Sequence, residues 1–125
     1  MMENTAKPLE YLCEWTRSLA AAIEMAAALR GGREGLAEKP YFLHIVTPLP
    51  LYFAQSHIEQ VILAARAGVP VSVGTLAIGG ASTPITTAGT VVQCLATDFA
   101  GIVLGQAVRE GAFCIGSTNP YFMEP

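Results

Sequence analysis

The dipeptide Tyr-Phe occurs at Tyr41-Phe42, Tyr52-Phe53 and Tyr121-Phe122. Aromatic faces hold organic cations through the negative face of the ring quadrupole, although the same residues also serve as plain core or loop anchors. A second candidate is GGASTPITTAG, from Gly79 to Gly89. Gly79, Gly80 and Pro84 make a turn-rich loop, and Thr83, Thr86 and Thr87 bring hydroxyls to the start of a helix. Backbone N–H groups at a helix N-terminus favour an anion. The alternative is a capping turn with no ligand, and the Lys-Ser/Thr of a P-loop is missing. His44 sits in the apolar run FLHIV, where it is either a base or ligand, or a hydrogen-bonded core residue. No Ser-His-Asp order, catalytic carboxylate pair, CxxC or other metal-ligand spacing stands out, so no metal is expected. Cys13, Cys94 and Cys114 read as small buried hydrophobes.

The elements that must position these groups alternate. Leu9 to Leu29 is rich in helix formers, with Leu12, Trp15, Leu19, Ala22, Ile23, Ala26 and Leu29 at spacings of three or four, and Gly31-Gly32 ends it. Phe42 to Val46 reads as a buried strand. A helix follows from Ser56, capped by that serine and stopped by Gly68 and Pro70, with His57 facing solvent. Val69 to Val73 is the next strand. Leu76 onward is loop until Thr86 or Thr87 caps a helix that begins near Ala88 and runs to about Val108. Ala112 to Ile115 is a third strand. The order α-β-α-β-α-β implies right-handed crossovers and a parallel sheet covered by helices.

The long helix is almost free of charge. Thr90, Cys94, Thr97, Gly101 and Gly105 make a ridge of small residues for close packing, and Val92, Leu95, Phe99, Ile102 and Val103 are expected to fill the spaces beside it. Its length and its GxxxG spacing would also suit a membrane helix. Asp98 argues against that, because a carboxylate near a bilayer centre costs roughly 2.5–3.5 kcal/mol. The same carboxylate, buried in protein, calls for a backbone N–H or an arginine.

Within the 125 residues, 52% are hydrophobic and 14% charged, with a net charge of −3. The seven basic residues form no cluster along the sequence, so a nucleic-acid partner lacks its electrostatic footprint. The N-terminal residues lack an apolar signal region, and a cytoplasmic location is expected.

The run GGASTPITTAGTVVQCLATDFAGIVLGQAVREGA resembles the signature of the trimethylamine methyltransferase family, GATxPxTxAGxLxxxxAExLAGxxLxQxxxPGAP. Gly80, Pro84, Thr86, Ala88, Gly89, Ala100, Gly101, Leu104, Gln106, Gly111 and Ala112 match in register. Thr47-Pro48-Leu49 and Lys39-Pro40 are similar to further family features, so the resemblance extends from about Lys7 onward. Glu110 and Phe113 replace the family's prolines.

The resemblance implies an α/β fold, a partial TIM (β/α)₈ barrel of about three α/β units with parallel strands, and residues 1–125 as a fragment of one barrel domain. It implies methyl transfer from a tertiary or quaternary methylated amine to the cobalt of a partner corrinoid protein. The cofactor is then carried by the partner and not by this chain, and the full-length form is a homo-oligomer. Some family members use pyrrolysine at a position that would lie beyond Pro125. Barrel enzymes place their sites at the C-terminal ends of strands, which nominates Tyr52, Phe53, Tyr121, Phe122 and His44 for substrate. Gly79, Gly80, Thr83, Thr86 and Thr87 are the candidate anion loop. The competing expectation is a small non-catalytic α/β binding or interaction module derived from the same family.

Overall fold

The computed structural model describes residues 7–122. The elements run β1 (Leu9–Leu12), α1 (Thr16–Leu29), α2 (Arg33–Glu38), β2 (Phe42–Val46), α3 (Gln55–Ala67), β3 (Val71–Val73), β4 (Leu76–Gly79), α4 (Thr87–Val108), β5 (Cys114–Gly116) and β6 (Asn119–Phe122). The main sheet has the order β1-β2-β3-β5, parallel throughout, and β4 pairs with β6 in a separate parallel ribbon. The fold is α/β, as expected.

Helices α1, α3 and α4 lie side by side on one face of this sheet. Strand side chains alternate between faces. Phe42, Val46, Val71 and Val73 point toward the helices and form the core with Leu19, Ile23, Leu36 and Val61. On the opposite face Glu10, Leu12 and Ile115 are exposed and Leu43 and Ile45 half-buried. A sheet in sequential order with all its helices on one side is singly wound.

The expected helix from Leu9 to Leu29 is corrected by β1, which occupies Leu9–Leu12. Tertiary pairing overrides the helix propensity there: β1 joins β2 in the register Leu9↔Phe42 to Leu12↔Ile45. The Tyr11 ring meets Phe42 edge-on at 5.5 Å, while Leu12 points outward. Ser56 is not a cap either. Ala54 holds the N-cap position of α3 without a side-chain bond, and its carbonyl accepts from the Ile58 N–H at 3.2 Å. The αL stop at Gly68, φ 74°, is as expected.

The loop expected at Leu76 is strand β4, and the tail after Ile115 contains β6. Their existence depends on each other, because either sequence alone reads as a turn-rich tract. Register shows how they arise. Val73 pairs with Gly116 and Leu76 with Asn119, the same offset, so the ribbon continues the β3–β5 ladder past a break at 74–75 and 117–118.

Helix α4 begins as expected, with Thr86 Oγ1 accepting from Gly89 N–H at 3.3 Å. Its small ridge is buried. A Cβ at Gly101 would lie 2.7 Å from Val73 Cγ2, and one at Gly105 2.5 Å from Cys114 Sγ. Val92, Leu95, Phe99 and Val103 do not fill gaps beside the ridge; they are exposed. The described residues place α3 against one flank of α4 and no element over its outer face. Helix α4 is long and apolar enough to cross a membrane, with Thr90, Thr97 and Asp98 all turned into the protein.

Candidate functional site

The connections that leave the C-terminal ends of the strands are tied to the polar residues of the α4 ridge. After β2, the turn Leu49–Tyr52 closes with the Tyr52 N–H on the Leu49 carbonyl at 3.0 Å. Leu51 adopts φ 57°, a conformation that costs a branched residue energy. Its N–H donates to Thr97 Oγ1 at 2.8 Å, which anchors the turn to α4.

After β3 and β5, the anchor is Asp98, 3% exposed. Its Oδ1 accepts from the Thr75 hydroxyl at 2.6 Å and the Thr75 N–H at 3.3 Å, and its Oδ2 accepts from the Thr118 hydroxyl at 2.6 Å. A buried carboxylate requires such donors. The expected backbone N–H partner is present, and two threonines stand in place of an arginine. Asp98 sits in the ladder break, where Gly116 allows it to approach: a Cβ there would meet Oδ2 at 3.0 Å. The third anchor is Thr90. Its hydroxyl donates to the Pro84 carbonyl at 2.7 Å and accepts from Thr83 at 2.9 Å.

The aromatic candidates are presented unequally by this frame. Tyr52 and Tyr121 are each 60% exposed at the C-terminal end of the sheet, with no ring contact between them among the described residues. Phe122 is partly exposed and packs its ring where a Cβ on Gly79 would lie 2.4 Å away. Phe53 turns inward onto Gly101 and the core. Trp15 was hidden in the expected first helix. It instead lies in the β1–α1 connection at the same end of the sheet, exposed, with the Arg17 guanidinium 5.7 Å from its ring centre. The strand alternation of LEYL is the signal that could have placed it.

His44 is fully buried and faces the helices. Its Nδ1 lies 3.0 Å from the Tyr11 carbonyl and its Nε2 2.9 Å from Gln60 Oε1, and the Gln60 amide donates to the Glu14 carbonyl at 3.2 Å. Burial lowers its pKa, and the contacts to Gln60 and Tyr11 pull weakly the other way. His57, expected in solvent, is half-buried, and burial lowers its pKa too.

In the glycine-threonine loop the backbone is largely self-satisfied. The Gly80 N–H bonds the Thr83 carbonyl at 2.9 Å, and those of Ala81, Ser82 and Thr83 share the Ile78 carbonyl at 3.0, 2.8 and 3.2 Å. Gly80 supplies the required φ of 87°. Thr86 caps α4, and the backbone amides without a partner among the described residues run from Ile85 into the first turn of the helix. Among the described residues no group of three or more His, Cys, Asp or Glu is placed to hold a metal ion.

One helix thus fixes the loops after the strands from behind, and the rings of Trp15, Tyr52 and Tyr121 stand exposed beside them. The profile of the trimethylamine methyltransferase family matches residues 1–123. The chain belongs to the trimethylamine methyltransferase family. It is 35% identical over 125 residues to the trimethylamine methyltransferase MttB of Desulfitobacterium hafniense (strain DSM 10664 / DCB-2), covering 99% of this chain and 25% of that protein. It is 34% identical over 113 residues to MttB of Methanosarcina barkeri, 89% of this chain and 23% of the relative. It is 33% identical over 100 residues to the glycine betaine methyltransferase of D. hafniense (strain Y51), 78% of this chain and 21% of the relative. The chain thus spans about a quarter of the length of these family members.

Proposed function

We propose that the chain forms one sector of a (β/α)₈ barrel that transfers a methyl group from a tertiary or quaternary methylated amine to a partner corrinoid protein. The sector reading is supported by the singly wound sheet, whose helix-free face corresponds to a barrel interior. The exposed outer side of α4 supports it against a self-contained binding module, which would cover its apolar surface.

The single observation that carries the functional reading is the placement of Trp15, Tyr52 and Tyr121 at the C-terminal strand ends, exposed, on connections held by β1 and by α4. Ring faces suit an ammonium that has no N–H to donate. A corrinoid carried by the partner would supply the nucleophile that accepts the methyl group. When the N–CH₃ bond breaks, its electron pair stays on nitrogen, so a quaternary substrate leaves as a neutral tertiary amine without a proton. The residues here fit that division. Asp98, the buried carboxylate, is held by Thr75 and Thr118 and serves the loops. The aromatic residues bind and desolvate the cation.

The test replaces the matching quarter of the D. hafniense trimethylamine methyltransferase by this chain. Methyl transfer should survive, and Tyr52→Ala or Tyr121→Ala should raise the amine KM several-fold. An unchanged KM in both variants would remove these residues from the site. Titration of the isolated chain with tetramethylammonium, followed by the tyrosine ring resonances, tests binding separately from turnover.

A further inference from the structure

Lys7, Arg30, Arg33, Lys39, Arg66 and Arg109 lie on segments that lead into the N-terminal ends of strands, interspersed with Glu34, Glu38 and Glu110, while Arg17 lies at the other end. A cavity of about 480 Å³ opens at the N-terminal strand ends, within the 300–1,000 Å³ range of small-molecule sites. Its wall is apolar: Pro40, Phe42, Val69, Pro70 and Phe113 contribute rings and aliphatic groups, and the prolines offer no N–H. Arg109 is the one polar side chain among the described residues that line it. The salt bridge found among the described residues joins Arg33 to Glu24, so no carboxylate is paired with Arg109 there. Gly68 makes room for this side chain, since a Cβ on it would come within 2.6 Å of both Arg109 Nη1 and Ala37 Cβ.

An apolar cavity with one uncompensated guanidinium matches a ligand with an apolar body and one anionic head. Arg is suited to a planar carboxylate, which accepts two parallel N–H bonds. We propose that this cavity binds a small free monocarboxylate with an aliphatic or aromatic body, its head on Arg109 and its body against Phe42, Val69 and Phe113. The site lies at the opposite end of the sheet from the aromatic residues assigned to the amine, and it does not depend on that assignment.

The test is calorimetric titration of the full 125-residue chain with octanoate, octanol and octyltrimethylammonium. Octanoate should bind saturably with one-to-one stoichiometry, and octanol and the cation at least about tenfold more weakly. Arg109→Gln should lower octanoate affinity by about the same factor, with an unchanged unfolding midpoint because the residue is exposed. Ala112→Leu, which fills the cavity and leaves Arg109 in place, should abolish binding and keeps the test open if Arg109→Gln fails to fold. Equal affinity for octanol, no effect of both substitutions, or the absence of saturable binding would overturn the proposal. So would binding confined to phosphatidylglycerol vesicles, which would assign the basic residues at this end to a lipid surface.

Discussion

The carboxylate of Asp98 grips both the backbone N–H and the hydroxyl of Thr75, at 3.3 and 2.6 Å, from the middle of a helix that is otherwise free of charge. The same carboxylate reaches Thr118. One side chain of α4 therefore fixes the paths of two chain segments that leave adjacent strands.

Asp98→Ala would strand the hydroxyl donors of Thr75 and Thr118 in a buried gap, while the Thr75 N–H keeps Thr118 Oγ1 at 3.2 Å. Hydrogen bonds to charged groups contribute about 1.5–3 kcal/mol each, and stranded donors cost further. A loss on the order of 3 kcal/mol in urea-measured stability is expected. Asp98→Asn, which keeps one carbonyl acceptor, should lose about half of that. A loss under about 0.5 kcal/mol for the alanine variant, the level of ordinary surface changes, would show that the loops do not depend on it.

The ridge of α4 should resist enlargement while its outer face accepts charge. Gly101→Ala places a methyl group against Val73 and Phe53, and Gly105→Ala one against Cys114. Overpacking of this kind costs about 1–3 kcal/mol. Val92→Lys and Val103→Lys, on the exposed side, should change the stability of this chain by no more than about 0.5 kcal/mol. Paired unfolding curves distinguish the two faces.

Gln106 closes the turn into β5 from both sides: its amide donates to the Ala112 carbonyl at 2.6 Å and its carbonyl accepts from the Gly111 N–H at 3.1 Å. Gly111 turns there with φ 76°. Gln106→Leu keeps the side-chain volume and removes both bonds, with an expected loss of about 1–2 kcal/mol. Faster amide exchange at Gly111 would report the change locally.

Acid should weaken the fold through its two histidines. Burial holds both His44 and His57 below the usual value of 6.5, so the unfolded chain takes up the proton first as pH falls. Their contribution to stability is complete above about pH 6.5 and is lost as pH drops below that toward each folded value. Titratable groups facing His44 are few: Tyr11 from β1 stands with its ring centre 6.2 Å away, and Gln60 from α3 is neutral. His57→Gln should flatten the slope of unfolding midpoint against pH in part, and His44→Asn should flatten the remainder while lowering stability at pH 8. A slope that is unchanged in the double variant would place the titration elsewhere.

Legibility in the sequence followed the range of the interactions. The cap at Thr86, the stop at Gly68 and the small ridge of α4 are written in local spacing, and all are found. The turn and cap chemistry of the glycine-threonine loop was legible for the same reason. β1 was not, because LEYL becomes a strand only through pairing with Phe42–Val46, some thirty residues away. β4 and β6 were missed on the same ground, each being the other's partner. For Asp98 the need for a donor followed from charge burial alone, whereas the choice of Thr75 and Thr118 required the fold. Gln106 and Gly111, both in the family signature, share one turn, which depends on a side-chain bond between them that local spacing does not encode.

The unchanged offset across the ladder break ties two distant tracts together in length. Residues 74–75 and 117–118 bridge the same gap on neighbouring strands. Deleting one residue from either tract would turn every side chain of the strand beyond it to the opposite face. A deletion in 117–118 would put Tyr121 in the place of Pro120 and Phe122 in that of Tyr121. Insertions or deletions in these two tracts therefore keep the β4–β6 register only as matched pairs, and related sequences should gain or lose residues at both together.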